Sequence, residues 1–302
     1  MSIKYPKILE AARGSIWAIH RPKLEAILQF LDTKAGGGSI DARLVEQMAA
    51  DNKARSKAVV SRSVAVLPLL GTITQRADLL TEFSGGTSTD RWGREFDALV
   101  NDPEVGSIVL DVDSSGGTVY GVPELASKVF AARGTKPIIA VANAYMASAA
   151  YYIGSAADEL VVTPSGDVGS IGVLAVHENR AGEYEQAGVE YEFITYGKHK
   201  AEHRDDAPMA DETRAEVQRR VDADGKAFDA AVAKHRGVTP ETVRKGFGQG
   251  RMYGAKEAVE RGMADRIATL DETVARMAKG GRPKKRNRSA MARRRLDLEN
   301  ST

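Results

Sequence analysis

Short apolar runs alternate with amphipathic segments over residues 63–270 of the chain. Runs rich in Val, Ile and Leu predict buried strands, and apolar residues spaced three or four positions apart predict helices. Predicted strands cover 63–70, 107–112, 137–142, 159–163 and 190–195, and predicted helices cover 91–101, the stretch ending near 132, 178–187 and 210–236. This alternation predicts an α/β protein with a mostly parallel sheet built from right-handed βαβ units.

The segments that flank this alternation have different patterns. Residues 1–60 contain a helical pattern at 22–31 and a polar helical pattern at 41–53, so we expect a helical N-terminal appendage. Residues 279–302 contain few apolar residues, so we expect a disordered tail there. The predicted organisation is therefore an appendage over 1–60, a compact domain over 61–278 and the tail.

The amino-acid composition excludes several kinds of chemistry. The 302 residues include no cysteine, which excludes disulfides, thiolate metal sites and a cysteine nucleophile. No apolar run approaches the roughly 18 residues that a membrane span needs, and no signal-peptide core is present, so we expect a cytoplasmic protein. The net charge of +2 hides a basic tail, because the stretch 279–295 holds nine Lys or Arg residues and no acidic residue. Such a tail is suited to nucleic acid or an acidic surface, although a solvated extension without function has the same composition.

Ser148 is the first candidate for chemistry. The apolar run 137–142 leads into small, helix-forming residues around this serine. A strand that turns sharply into a helix places the hydroxyl at the helix start, where free backbone N–H groups and the positive dipole end are gathered. The N–H of Ala149 is then positioned to stabilise an oxyanion. A serine at a helix start is also an ordinary N-cap, so this feature alone allows both interpretations.

Two glycine-containing turns bracket Ser148 in the chain, at 114–117 and 169–172. Paired glycines after a strand let the backbone approach a ligand closely and direct an N–H group at it. A Gly-Gly pair alone indicates no more than a tight turn. Its place one βα unit before Ser148 favours a functional role.

These motifs resemble those of the signal peptide peptidase A type serine peptidases, relatives of the Clp proteases within the Clp/crotonase-like fold. The family's Ser-Pro-Gly-Gly turn corresponds to 114–117, with a serine in place of the proline, and its Ala-Ser-Gly-Gly-Tyr-Tyr-Ile-Ala motif corresponds to 147–154, with alanines for two glycines. The Gly-Ser-Ile-Gly segment is intact at 169–172, and the Gly-x-Tyr-Lys motif is represented by Gly-Lys-His-Lys at 197–200. The resemblance spans about 63–270 and implies a fold of repeated ββα and βαβ units.

The resemblance implies a Ser–Lys dyad in which Ser148 is the nucleophile and Lys200 is the general base. A lysine base must be neutral to accept the serine proton, and burial in an apolar cleft lowers the pKa of a lysine. In the family, the serine of Gly-Ser-Ile-Gly hydrogen-bonds the lysine amine, and that role falls on Ser170. The oxyanion donors would be the backbone N–H groups of Gly117 and Ala149, with no cofactor and no metal.

Two other assignments of the base remain open at this point. Lys198 precedes Lys200 by two residues, although the Gly-x-x-Lys spacing favours Lys200. Clp proteases use a Ser-His-Asp triad, and His177 is the best candidate for a base of that kind.

A peptidase domain of this type joined to a helical appendage, without a membrane anchor, looks like the capsid-maturation proteases of tailed phages. We therefore expect a homo-oligomeric endopeptidase that cleaves scaffold or capsid proteins in the bacterial cytoplasm or the procapsid. One alternative is a soluble host peptidase that degrades signal peptides or short peptides. Another is a catalytically silent assembly or scaffold protein. An acyl-CoA enzyme of the wider fold is less favoured, because Ser148 and Lys200 would then have no purpose.

Overall fold

A computed structural model describes residues 12–13, 15–35, 57–76 and 86–283. The helix predicted at 41–53 and most of the basic tail lie outside the described residues. Within the described ranges, no helix is both long enough and apolar enough to cross a membrane.

The strands and helices alternate along the chain. The strands are β1 (Ile16–Ile19), β2 (Val59–Ser61), β3 (Val64–Thr74), β4 (Thr87–Ser88), β5 (Ser107–Thr118), β6 (Ile138–Ala147), β7 (Glu159–Val162), β8 (Asp167–Gly169), β9 (Leu174–Ala175), β10 (Met252–Gly254) and β11 (Arg266–Ile267). The helices are α1 (Arg21–Ala35), α2 (Thr89–Asn101), α3 (Val122–Ala131), α4 (Ala149–Gly154), α5 (Ala181–Ala187), α6 (Asp211–Arg236), α7 (Pro240–Gly246), α8 (Ala255–Glu260) and α9 (Leu270–Ala278).

The centre of the sheet is parallel. Strand β5 pairs with β3 on one side and β6 on the other, and β6 pairs in turn with β7 and β8, all in the parallel sense. These strands are apolar on both faces because helices cover both. Alternate residues contact α2, α3 and α4 on one face and α9 on the other, as Leu110 and Val109 illustrate. The prediction of an α/β protein with a mostly parallel sheet is confirmed.

Two strands continue beyond their predicted ends. Strand β3 passes through Gly71 to Thr74, and β5 runs through the glycine pair at 116–117 instead of turning there. The two extensions pair with each other after a bulge, with Thr72 opposite Gly116. Mutual pairing of the backbone groups stabilises both extensions, which the separate sequence patterns did not reveal.

The N-terminal strand β1 enters the sheet, where it pairs antiparallel with both β5 and β9. Trp17 is buried and packs with Leu24, Ile27 and Leu31 of α1, while Ala18 joins the main core. Residues 16–19 are therefore part of the sheet, which differs from the expectation that residues 1–60 lie outside the core. The apolar run 16–19 is at the lower limit of strand length, and its pattern does not show which distant strands it pairs with.

The strand predicted at 190–195 does not form: the segment pairs with no strand among the described residues, and an isolated strand is not stable. Its apolar side chains are instead exposed, including Ile194 at 92%, and the next residue, Tyr196, is exposed at 102%. This exposed segment leads to the turn that carries Lys200.

The C-terminal half of α6 is anchored to the core. Phe228 packs against Tyr152 of α4 with ring centroids 4.7 Å apart. At the end of the helix, the guanidinium of Arg236 donates to both carboxylate oxygens of Asp265 at 2.8 and 2.9 Å and to the carbonyl oxygen of Gly262. Because Arg236 is completely buried, this ion pair fixes the position of α6 against the body of the domain.

Candidate active site

Ser148 lies at the junction between β6 and α4. Its backbone has φ 54° and ψ −116°, an uncommon conformation for a residue with a side chain, and the residue is fully buried. Its hydroxyl makes no capping hydrogen bond to the helix, so the ordinary N-cap interpretation does not describe this serine. A strained serine between a strand and a helix is typical of a nucleophile held in a fixed orientation.

The segment 169–172 wraps around Ser148. The hydroxyl of Ser148 donates to the carbonyl oxygen of Gly172 at 3.3 Å, and the backbone N–H of Ser148 donates to the carbonyl oxygen of Gly169 at 2.8 Å. Ser170 lies between these two glycines with φ 52° and is itself buried. Its N–H donates to the carbonyl oxygen of Arg251 at 2.8 Å, so the pairing of β8 with β10 holds the segment in place.

The glycine pair of β5 lies on another side of Ser148. A Cβ atom added at Gly116 would be 3.0 Å from the Cβ of Ser148, and one added at Gly117 would be 1.7 Å from the carbonyl oxygen of Ile73. Side chains are therefore excluded from both positions. The hydroxyl of Ser114 fixes this part of the strand, because it accepts from the N–H of Gly116 at 3.2 Å.

Two backbone N–H groups belong to residues that adjoin Ser148 or its neighbour Gly116. Ala149 is the first residue of α4, where the N–H groups have no helix carbonyl to bond. Gly117 directs its N–H to the edge of β5 beside Ser148, opposite the edge that pairs with β3. These two N–H groups are the candidates for the oxyanion donors that acyl transfer needs.

The structure does not place Lys200 in this arrangement. Its side chain is exposed and makes no hydrogen bond or ion pair with the described residues. The neighbouring Lys198 bonds Glu212 in the first turn of α6 at 2.7 Å. Asp222 of α6 and Gly172, the residue that accepts from Ser148, line one cavity of about 410 Å³. Glu212 lies ten residues before Asp222, which corresponds to about 15 Å along the helix. The lysine turn thus lies at the far end of α6 from Ser148.

His177 does not contact the nucleophile either. The hydroxyl of Ser148 donates to Gly172, and the Nε2 atom of His177 is buried without a partner among the described residues. The structure therefore brings together four of the five site residues that the sequence indicated, and it leaves the base as a proposal. The four are Ser148, Ser170, Gly117 and Ala149.

Two features of the site were not foreseen from the sequence. The carbonyl oxygen of Gly172 accepts a hydrogen bond from the hydroxyl of Ser148, and strand β1 pairs with β5 at the glycine pair. The first is a backbone atom, which no side-chain pattern reports, and the second depends on pairing with distant strands that the apolar run 16–19 does not identify.

Comparison with known proteins agrees with the motifs. Residues 131–282 match the family model of peptidase family S49. The chain is 32% identical over 222 residues to the capsid assembly protease C of Escherichia phage lambda, covering 74% of this chain and 50% of that protein. It is 31% identical over 219 residues to the head-tail preconnector protein GP5 of Enterobacteria phage P21, covering 72% and 43%. This chain therefore spans about half the length of these two relatives.

Among solved structures, a membrane-bound stomatin-specific protease, 1510-N, is similar with a TM-score of 0.46 and 14% identity, covering 71% of this chain and 84% of that one. The family model covers half of the chain, including Ser148, Ser170 and the lysine turn. The resemblance inferred from the motifs is thereby confirmed, and the protein belongs to peptidase family S49.

Proposed function

We propose that the protein is a serine endopeptidase in which Ser148 attacks the carbonyl carbon of a peptide bond. The observation that supports this most directly is the buried, strained Ser148 between the glycine pair of β5 and the segment 169–172. The N–H groups of Gly117 and Ala149 stabilise the negative charge on the carbonyl oxygen. The proton of the serine passes through the base to the leaving amine, and water then hydrolyses the acyl-enzyme.

Lys200 acts as the base in an assembly of several copies of the chain. Its position at the far end of α6 from Ser148 argues against a dyad within one chain. The segment before it exposes Tyr191, Phe193, Ile194 and Tyr196, and apolar groups exposed together are typical of an interface between subunits. Covering this segment with a second copy buries the apolar groups and removes water from the lysine, which favours its neutral form.

The substrates we propose are scaffold and capsid proteins of a phage head, cleaved in the bacterial cytoplasm or inside the procapsid. The support is the similarity to a capsid assembly protease and to a head-tail preconnector protein, each over about half its length. The basic tail would contact nucleic acid or an acidic inner surface of the head, and the contact would weaken as salt rises.

Mixing two inactive variants tests the shared site. Ser148→Ala and Lys200→Ala should each reduce hydrolysis of a quenched fluorescent peptide to background. After the two are mixed and reassembled, roughly one site in four should regain both groups, because copies combine at random in a symmetric oligomer.

Lys198→Ala is the matched control and should keep most of the activity, since Lys198 bonds Glu212 on the surface. Sedimentation of the wild type should show an oligomer at micromolar concentration. A fully active monomer, or mixed variants that never recover although they co-assemble, would contradict a site shared between subunits.

A further inference from the structure

The N-terminal strand β1 lies in the place where an extended peptide would have to bind. One edge of β1 pairs with β5, with Ala18 opposite Gly117, and the other edge pairs with β9, with Trp17 opposite Leu174. Strand β6 ends just before Ser148, so β1 takes the free edge of β5 beyond that end. A segment of the chain thus fills the cleft between the glycine pair and the strand that follows the segment 169–172.

The hydrogen bonds place one carbonyl of β1 at the proposed oxyanion donor. The N–H of Val119 donates to the carbonyl oxygen of Ile16 at 3.2 Å, and the N–H of His20 donates to the carbonyl oxygen of Ser115 at 2.8 Å. Bonded pairs recur at every second residue of an antiparallel ladder. The pair that lies between these two is Ala18 with Gly117, so the Gly117 N–H points at the carbonyl oxygen of Ala18.

The same carbonyl is a neighbour of the nucleophile. A Cβ atom added at Gly116 would be 2.3 Å from the carbonyl oxygen of Ala18 and 3.0 Å from the Cβ of Ser148. The side chain of Ala18 is buried in the main core, so the space it occupies accepts a small residue. Ser148 itself has no exposed surface with β1 in this position.

We propose that β1 is a built-in pseudosubstrate, which binds the peptide groove with Ala18 directly before the position of the scissile bond and keeps the site closed until it is displaced. This inference rests on the proposed function of Ser148. The occupant that replaces β1 is an extended peptide segment with a small residue at the position of Ala18. Such a segment gains the same ladder bonds to β5 and β9.

Contacts outside the groove hold β1 in place without belonging to the catalytic machinery. Trp17 is 1% exposed against α1, and Arg13 forms ion pairs with Asp32 at 2.7 Å and with Glu178. These contacts belong to the N-terminal segment and its surroundings. They can therefore break together, and the sheet core of β3, β5 and β6 remains in place.

A reversible disulfide tests the proposal in the full chain. Trp17 and Thr118 are opposite each other in a pair without ladder hydrogen bonds, where Cα atoms are about 4.5 Å apart, within the range that a disulfide spans. The natural chain contains no cysteine, so Trp17→Cys with Thr118→Cys adds the two thiols that can react. Oxidation locks β1 in the groove, and a reductant releases it.

We expect kcat/KM for a quenched fluorescent peptide to be at least about tenfold lower in the oxidised double variant than in the reduced one, because a locked groove leaves few competent molecules. Trp17→Cys alone should show no response to the reductant. Equal activity in the two redox states would overturn the proposal. Failure of the thiols to form a disulfide would contradict the pairing itself.

A second pair of variants does not depend on the disulfide. Ala18→Arg is too large for the buried site and should raise kcat/KM several-fold, whereas Ala18→Ser fits and should match the wild type. Folded Ala18→Arg protein without a gain in activity would overturn the pseudosubstrate. Thermal unfolding verifies that both variants are folded.

A binding assay separates this inference from the proposed function. In a Ser148→Ala background, a labelled peptide with the sequence of residues 14–22 should bind the reduced double cysteine variant and not the oxidised one, as measured by fluorescence anisotropy. That result would support the groove even if no form hydrolyses peptides, in which case the proposed function alone fails. Equal binding to both redox forms would show that β1 does not occupy the groove.

Discussion

Removing the carboxylate of Asp265 should be among the most damaging changes outside the active site. Its two oxygens accept from Arg236 at 2.8 and 2.9 Å, and one of them also accepts from the N–H of Leu160 at 2.8 Å. Asp265→Ala would leave a guanidinium with no exposed surface beside a single carbonyl, that of Gly262. Breaking such a buried pair costs about 3–5 kcal/mol of unfolding free energy.

The assay is thermal unfolding of Asp265→Ala and of the wild type, followed by circular dichroism at one protein concentration. With about 2–4 °C per kcal/mol for a domain of this size, the midpoint should fall by roughly 6–20 °C. Glu216→Ala is the matched control, because Arg219 bonds both oxygens of Glu216 on the exposed surface of α6. Exposed pairs contribute little, so this control should unfold like the wild type. An equal fall in the unfolding midpoint of the two variants would refute the claim that the buried ion pair contributes more stability than the exposed one.

Two further predictions concern the site. Gly117→Ala should abolish peptide hydrolysis and lower stability, because its Cβ would be 1.7 Å from the carbonyl oxygen of Ile73. Gly182→Ala is the control and should leave activity unchanged, because Gly182 in α5 has free space around it. Peptide hydrolysis and thermal unfolding of the two variants check this prediction. In the proposed dyad the lysine base must be neutral, and lysine side chains titrate near 10.4, so kcat/KM of the wild type should keep rising above pH 7. The family resemblance assigns the Ser170 hydroxyl to the amine of the base, so Ser170→Ala should move the rise to higher pH. A rise centred near 6.5 that Ser170→Ala does not move would instead indicate a histidine base.

The core and most of the site were accessible from the sequence, for physical reasons. Runs of Val and Ile such as 107–112 and 137–142 are buried on both faces, so their pattern is sufficient to predict a parallel sheet. The positions of Ser148, Ser170 and Gly117 follow from glycine and small residues at strand ends, where few other residues fit.

Other features depend on partners distant in the chain. The strand β1 is four residues long and is stabilised by β5 and β9, about 100 and 160 residues away. The apolar alternation at 190–195 predicted a strand, but the segment pairs with no strand in the part of the chain that the structure describes. Lys200 lies in the turn that follows this segment, and its exposed position has no signal in the sequence motifs.

The base is tested most directly by the rate of peptide hydrolysis in Lys200→Ala, measured beside His177→Ala in preparations of equal oligomeric state. A Ser148–Lys200 dyad predicts that Lys200→Ala loses activity to the level of Ser148→Ala, since groups that act as a unit fail together. His177→Ala should keep most of the wild-type rate, because the Ser148 hydroxyl is bonded to Gly172 and not to the imidazole. A Lys200→Ala enzyme that remains active, with His177→Ala inactive, would contradict the lysine base and indicate a histidine in its place.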